Sequence, residues 1–166
     1  GKRVGILASH CFEEVEVTYP YIYLTSRGAK VDVLGPWWVP GKIAACEFVR
    51  VTKWATMDLS FRDAVKNNVT YDLLVVSGGV WSSTVVRNDE DAIALIRNQY
   101  RSNKLVSAIC SGSTVLINAG LAKGRPITGS PAIAIDLSNA GADYMDQPVV
   151  VDNNIITGRS PQGDDT

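Results

Sequence analysis

Leu105-Val106-Ser107-Ala108-Ile109-Cys110-Ser111-Gly112 decides how the rest of the chain is read. Five residues of strand character run into a cysteine, and the small residues Ala108 and Gly112 stand two positions to either side of it. That is the steric requirement of a nucleophile elbow, a tight strand-to-helix turn that tolerates no bulk near its apex. Ser111 to Ala119 reads as a helix stopped by Gly120, so its N-terminal N–H groups and positive end should face the sulfur and favour thiolate. A cysteine that ends a buried strand also serves as an inert apolar residue, and the pattern alone leaves both readings standing.

Outward from the elbow, short apolar runs alternate with helical stretches. Arg3 to Ala8 and Asp72 to Val76 are continuous apolar runs, as expected of strands covered on both faces. Ala29 to Leu34 alternates as a strand. Glu13 to Arg27 has helical spacing, with Gly28 at its C′ position and Pro20 inside, where a kink or a fresh start is expected. Asp89 to Ser102 reads as an amphipathic helix with three acids at its positive end. Toward the C-terminus come Ile127-Thr128, a helix around Ile133 to Asn139, and strands at 149–151 and 155–157 around Asp152-Asn153-Asn154. Strand and helix in turn predict an α/β fold, a mostly parallel sheet with helices on both faces. Residues 36–56 are the exception, an insert in which Phe48-Val49-Arg50-Val51 could form a hairpin arm outside the main sheet.

With 166 residues, 46% of them apolar, the chain suits one domain, 1–166. Sixteen Lys and Arg against seventeen Asp and Glu argue against a nucleic-acid or membrane-surface partner. No apolar run is long enough to span a bilayer, and GKRVGILASH lacks a signal-peptide core. Cys11, Cys46 and Cys110 form neither a CxxC pair nor an even set, so reduced thiols and a cytoplasmic location are expected. One histidine and scattered cysteines do not assemble a metal site, and no cofactor is implied.

In an open α/β sheet, ligands bind beyond the carboxyl ends of the strands. Besides Cys110, two such ends carry unusual residues: Ala8-Ser9-His10-Cys11 and Ser77-Gly78-Gly79. Paired glycines there either form a plain turn or let the backbone approach a ligand and offer N–H groups as an oxyanion hole does.

Together, Val4-Gly5-Ile6-Leu7, Phe12-Glu13-Glu14-Val15-Glu16 with Tyr19-Pro20, Asp72 to Gly79, Ala108 to Gly112, Leu121-Ala122-Lys123-Gly124-Arg125 and Gly158-Arg159-Ser160-Pro161 resemble the DJ-1/PfpI superfamily, which is class I glutamine amidotransferase-like. The resemblance covers nearly the whole chain. It implies a flavodoxin-like three-layer sandwich, a homodimer or higher oligomer, a reactive cysteine at Cys110, an acidic partner at Glu16, and backbone donors at Gly79 and Ser111. A carboxyl held against a thiolate is pushed toward its protonated form and can donate a hydrogen bond to sulfur. Helical register alone does not separate Glu16 from Glu13 and Glu14. The family also continues into a last helix over the sheet, which a sequence ending at Thr166 does not supply.

The sequence departs from the family in two places. Ser111 follows the cysteine where many members carry His, and Val80-Trp81-Ser82-Ser83 holds no carboxylate where the peptidase branch has an acid. Both departures argue against peptide hydrolysis, which needs a leaving-group acid. The expected function is therefore a cysteine-dependent hydrolase or hydratase acting on a small electrophile, isocyanide-hydratase-like or glyoxalase-like. The alternatives are a redox or stress-response protein with an oxidisable Cys110, and a PfpI-type cysteine peptidase. His10 is a further candidate acid/base from the first strand's loop, and Trp81 a candidate pocket wall. Trp37 and Trp38 are read as interface residues.

Overall fold

The structure, a computed structural model, describes residues 1–160; Pro161 of the last family motif lies outside them. The chain runs β1 (Arg3–Leu7), β2 (Phe12–Glu13), α1 (Glu14–Ser26), β3 (Lys30–Gly35), β4 (Lys42–Glu47), β5 (Arg50–Thr56), β6 (Leu59–Ser60) and α2 (Phe61–Lys66). It continues through β7 (Leu73–Val76), α3 (Val80–Arg87), α4 (Glu90–Arg101), β8 (Leu105–Ile109), a 3₁₀ turn (Cys110–Gly112) and α5 (Ser113–Asn118). The last elements are β9 (Pro126–Ile127), α6 (Ala134–Asn139), β10 (Asp143–Tyr144), β11 (Val149–Asp152) and β12 (Ile155–Gly158).

Seven strands form the main sheet in the order β11-β12-β8-β7-β1-β3-β6. Every pairing is parallel except β11 with β12. The strand period of two sorts side chains to opposite faces. Val4 and Ile6 of β1, Val33 of β3 and Val75 of β7 enter one core with Val17 of α1 and Ile43 of β4. Leu7, Leu34, Leu74 and Val76 enter the other, beneath Phe61, Ile96 and Leu116 of the helices on that side. The flavodoxin-like α/β sandwich is thus present, with a core on each face of the sheet.

Local expectations differ from the structure in instructive ways. Helix α1 runs unbroken through Pro20, and Gly28 takes φ +85° just after it, donating to Thr25 O. The insert is a full hairpin, β4 against β5, which β2 extends into a three-stranded sheet. Phe48 and Val49 are its turn rather than part of a strand. Two helices, α2 and α3, were not signalled by apolar periodicity; α2 is instead announced by Ser60, whose hydroxyl caps the Asp63 N–H.

The expectation of three reduced cysteines is overturned. Cys11 and Cys46 form a disulfide that ties the loop after β1 to the hairpin, and Cys110 is the free cysteine. Their pairing follows from β2 lying beside β4, with Phe12 opposite Ala45 and Glu13 opposite Cys46, a proximity that only the fold creates. None of the helices among the described residues is long and apolar enough to cross a membrane.

Closing the 35-residue separation between Cys11 and Cys46 restricts the unfolded chain. A Cys11→Ser/Cys46→Ser variant is expected to lose roughly 2–4 kcal/mol of stability in urea unfolding. Equal stability of variant and parent would mean that the bridge does not form in solution.

Candidate active site

Strands β8, β7 and β1 are neighbours in the sheet, so their carboxyl ends bring Cys110, Gly78-Gly79 and the loop of Ser9 to Cys11 to one rim. Strands β1 and β7 are parallel, but the order in which strands are added reverses between them, with β3 and β6 on one side and β7 and β8 on the other. That is the position where such folds open a crevice. There a cavity of about 460 Å³ is lined by Cys110, Ser111, Glu16, Gly79, Trp81 and others.

Cys110 has φ +59°, the left-handed region that costs a non-glycine residue about 1–3 kcal/mol. The elbow is therefore observed. Its demand for small neighbours is met at Gly112, where a methyl would lie 2.7 Å from Val76 O and 2.8 Å from Ser77 O. The helix behind it is shorter than expected. The turn is 3₁₀ over Cys110–Gly112, and α5 begins only at Ser113.

Glu16 lies in the same rim, 2% exposed, carried inward on the first turn of α1. Its Oε1 accepts the Gly78 N–H at 2.8 Å, while its buried Oε2 has no hydrogen-bond partner. Gly78 is the hinge of this contact. A methyl there would collide with Glu16 Oε1 and lie 2.9 Å from Cys110 Cβ, so Glu16 and Cys110 converge on the space that a side chain at Gly78 would fill. Glu14 turns outward to pair with Lys53 at 2.6 Å. Glu13 lines the pocket and accepts the Phe48 N–H at 3.3 Å.

Burial raises the Glu16 carboxyl from its ordinary 4.5 to about 8, against the pull of the Gly78 N–H and with help from the Glu13 charge. The upward direction is the one the resemblance implies for an acid held near the thiol. The thiol does not shift downward as expected. Burial first, and then the Glu16 charge, push Cys110 up to about 11, and the opposing pull of the Ser111 N–H and the Ser130 hydroxyl does not offset them. Desolvation in this pocket outweighs the helix end. At neutral pH the resting pair is a thiol beside a carboxylic acid.

Several other expected residues find their places. Gly79 and Trp81 line the pocket, and Trp81 is 66% exposed at its mouth. Ser111 directs its N–H to the sulfur, but its hydroxyl is buried against Ser83 Oγ at 3.0 Å rather than turned to the cavity. His10 is corrected out of the site. Its Nδ1 accepts the Ala44 N–H at 3.1 Å, and its ring lies near Trp38 and Trp54 in a separate surface hollow with Lys42. The local sequence gave no hint of this, because the hairpin that captures the ring arrives from residues 42–56.

Ser130 was missed. It lines the pocket, donates its N–H to Cys110 O at 3.2 Å, and its hydroxyl favours the charged form of the sulfur. Its only sequence signal was Ser130-Pro131, a helix-start dipeptide. Among the described residues no cluster of His, Cys, Asp or Glu could hold a metal ion.

A family model described as the DJ-1/PfpI family matches residues 2–165. A protein of Pyrococcus abyssi named a deglycase is 36% identical over 159 residues, covering 96% of this chain and 90% of its own. Drosophila melanogaster DJ-1beta superposes with a TM-score of 0.86 at 28% identity, over 97% of this chain and 83% of that one. A two-domain protein of Anabaena variabilis, with DJ-1/ThiJ/PfpI-like and ferritin-like domains, gives 0.85 at 33% identity, over 96% of this chain and 45% of its own.

Glu16 also fixes a pH signature. In the unfolded chain it ionises near its ordinary value, so the folded protein holds a proton the unfolded one has lost. Its contribution to stability is complete below about 4.5 and is lost as pH rises from there through about 8. The loss is on the order of 4 kcal/mol. Glu16→Gln should abolish that slope and become increasingly more stable than wild type toward pH 8 in denaturant titrations. Parallel pH profiles for the two proteins would contradict the burial of this acid.

Proposed function

Because the chain belongs to the DJ-1/PfpI family, we propose that it is a cysteine-dependent enzyme in which Cys110 adds to an electrophilic carbon of a small molecule, with Glu16 carrying the proton. The observation that carries this reading is the unpartnered, buried Oε2 of Glu16 beside a strained free thiol. In the productive form Glu16 is the carboxylate. Its Oε2 takes the thiol proton as the S–C bond forms. For a carbonyl the π pair moves to oxygen, which receives that proton; for an isocyanide the π pair moves to nitrogen and the proton goes to the lone pair on the attacked carbon. The N–H groups of Gly79 and Ser111 are the proposed holders of the developing charge.

The substrate class is a carbonyl or isocyanide, handled in the glyoxalase or hydratase manner. The deglycase name of the Pyrococcus abyssi relative fits a carbonyl-derived substrate. Peptide hydrolysis is disfavoured, since His10 lies elsewhere and Ser111 follows the nucleophile. A redox role remains as the second reading, favoured by Cys110 being the free thiol among three cysteines. Selective peroxide oxidation without turnover would support it. We further propose one domain over 1–166, a homodimer or larger oligomer that covers the exposed Tyr19 and Ile22 of α1, and a cytoplasmic setting. A reducing cytoplasm would tend to open the Cys11–Cys46 bridge.

Turnover of small aldehydes, 2-oxoaldehydes and an aryl isocyanide is the test. We expect kcat/KM to rise with pH through about 8, where Glu16 becomes the base. Cys110→Ala should abolish turnover. Glu16→Gln should lower it roughly 10²- to 10⁴-fold while keeping the thiol open to alkylation. Undiminished turnover in Cys110→Ala would refute the assignment.

A further inference from the structure

We propose that the Cys110 pocket selects uncharged electrophiles bearing an apolar substituent and rejects anionic ones, with Glu13 setting the charge preference. This deepens the reaction proposed above and rests on it only for the identity of the substrate as a reactant.

The charge balance of the cavity is one-sided. Glu13 and Glu16 line it, and its described lining contains no Lys, Arg or His. Neighbouring cations are paired with acids. Lys53 on β5 binds Glu14 at 2.6 Å, Arg50 binds Glu47 at 2.8 Å, and Arg159, next to the pocket-lining Ser160, binds Asp146 at 2.9 Å. An anionic ligand entering here gives up hydration, meets no described lining cation, and comes close to the Glu13 carboxylate. The Glu13 charge already reaches the reacting groups, since it helps raise both Glu16 and Cys110.

The walls supply the second half of the preference. Phe48 and Val49 at the hairpin turn are 69% and 90% exposed, and Val80 and Trp81 on α3 are 74% and 66% exposed. All four border the cavity. A substituent lying between the hairpin turn and α3 would cover apolar surface that is now in water. The Cys11–Cys46 bridge and the Phe48 N–H bond to Glu13 hold the turn at that distance, so the residue that sets the charge also anchors one wall.

Iodoacetamide and iodoacetate test the inference without requiring turnover, because they share a leaving group and differ by one charge. Rates of Cys110 alkylation, followed by intact mass, are each divided by the rate of N-acetylcysteine under the same conditions. The ratio of the two cancels the ionisation of the thiol. We expect iodoacetamide to be favoured roughly ten- to a hundredfold, the repulsion of a nearby carboxylate at intermediate dielectric. Glu13→Gln should bring the ratio several-fold closer to one. In parallel, phenylglyoxal should be a far better substrate than glyoxylate. A wild-type ratio near one overturns the proposal even if turnover is present, and an unchanged ratio in a folded Glu13→Gln variant removes Glu13 from it. A strong ratio with no turnover of any carbonyl would leave the charge selection standing and sink the enzymatic reading instead.

Discussion

The contact between one carboxyl oxygen of Glu16 and the Gly78 N–H is the constraint on which the site depends. It holds an acid inside the protein with one carboxyl oxygen bonded and the other buried without a hydrogen-bond partner. An unpartnered buried carboxyl oxygen is costly. The fold tolerates it because the carboxyl keeps its proton, and with it avoids placing a full charge against the Cys110 sulfur. Burial, protonation and the proximity of the thiol are three aspects of one arrangement.

That arrangement is reached by backbone sterics rather than by a dense polar network. Gly78 must leave free the space into which Glu16 and Cys110 converge, and Gly112 must fit against Val76 O and Ser77 O. Side chains at either position would push the thiol off its rim. The elbow's positive φ stores strain that the parallel sheet and its two cores are large enough to absorb. Ser130 then adds a constraint from the loop after β9, donating its N–H to the carbonyl of Cys110.

What could be read from the sequence follows from whether the cause was local. The elbow was legible because its requirement for small residues acts over two positions, and strand β8 falls on the predicted residues. The main parallel strands and the helices α1, α4, α5 and α6 were legible for the same reason, whereas α2 and α3 were not. Glu16 was singled out only through the family resemblance, because Glu13, Glu14 and Glu16 look alike until β2 and β4 define which side of α1 is inside. The Cys11–Cys46 bridge, the removal of His10 and the role of Ser130 all depend on segments about 20 to 35 residues apart in the chain meeting in space. The direction of the thiol's shift went wrong because desolvation depends on the whole surrounding pocket, whereas the helix end is visible in the sequence.

The position occupied by Ser111 gives the proposed chemistry its shape. With its hydroxyl committed to Ser83 and the chain's one histidine bound at Ala44, the described pocket offers Glu16 as the proton carrier at the thiol. A single carrier that accepts one proton and returns it suits an addition, in which the proton lost by sulfur is the one the new adduct needs. Amide hydrolysis asks for more: an expelled amine must be protonated, and in a later step a water must be deprotonated for deacylation. Glu16 could serve those steps only in sequence, and only if it reached a leaving group on the far side of the scissile carbon. Its Oε1 accepts the Gly78 N–H at 2.8 Å, a bond that swinging the carboxyl would break. On the proposed reading, the same bond that keeps the acid buried restricts the site to electrophiles that take up the thiol and its proton without having to shed a poor leaving group.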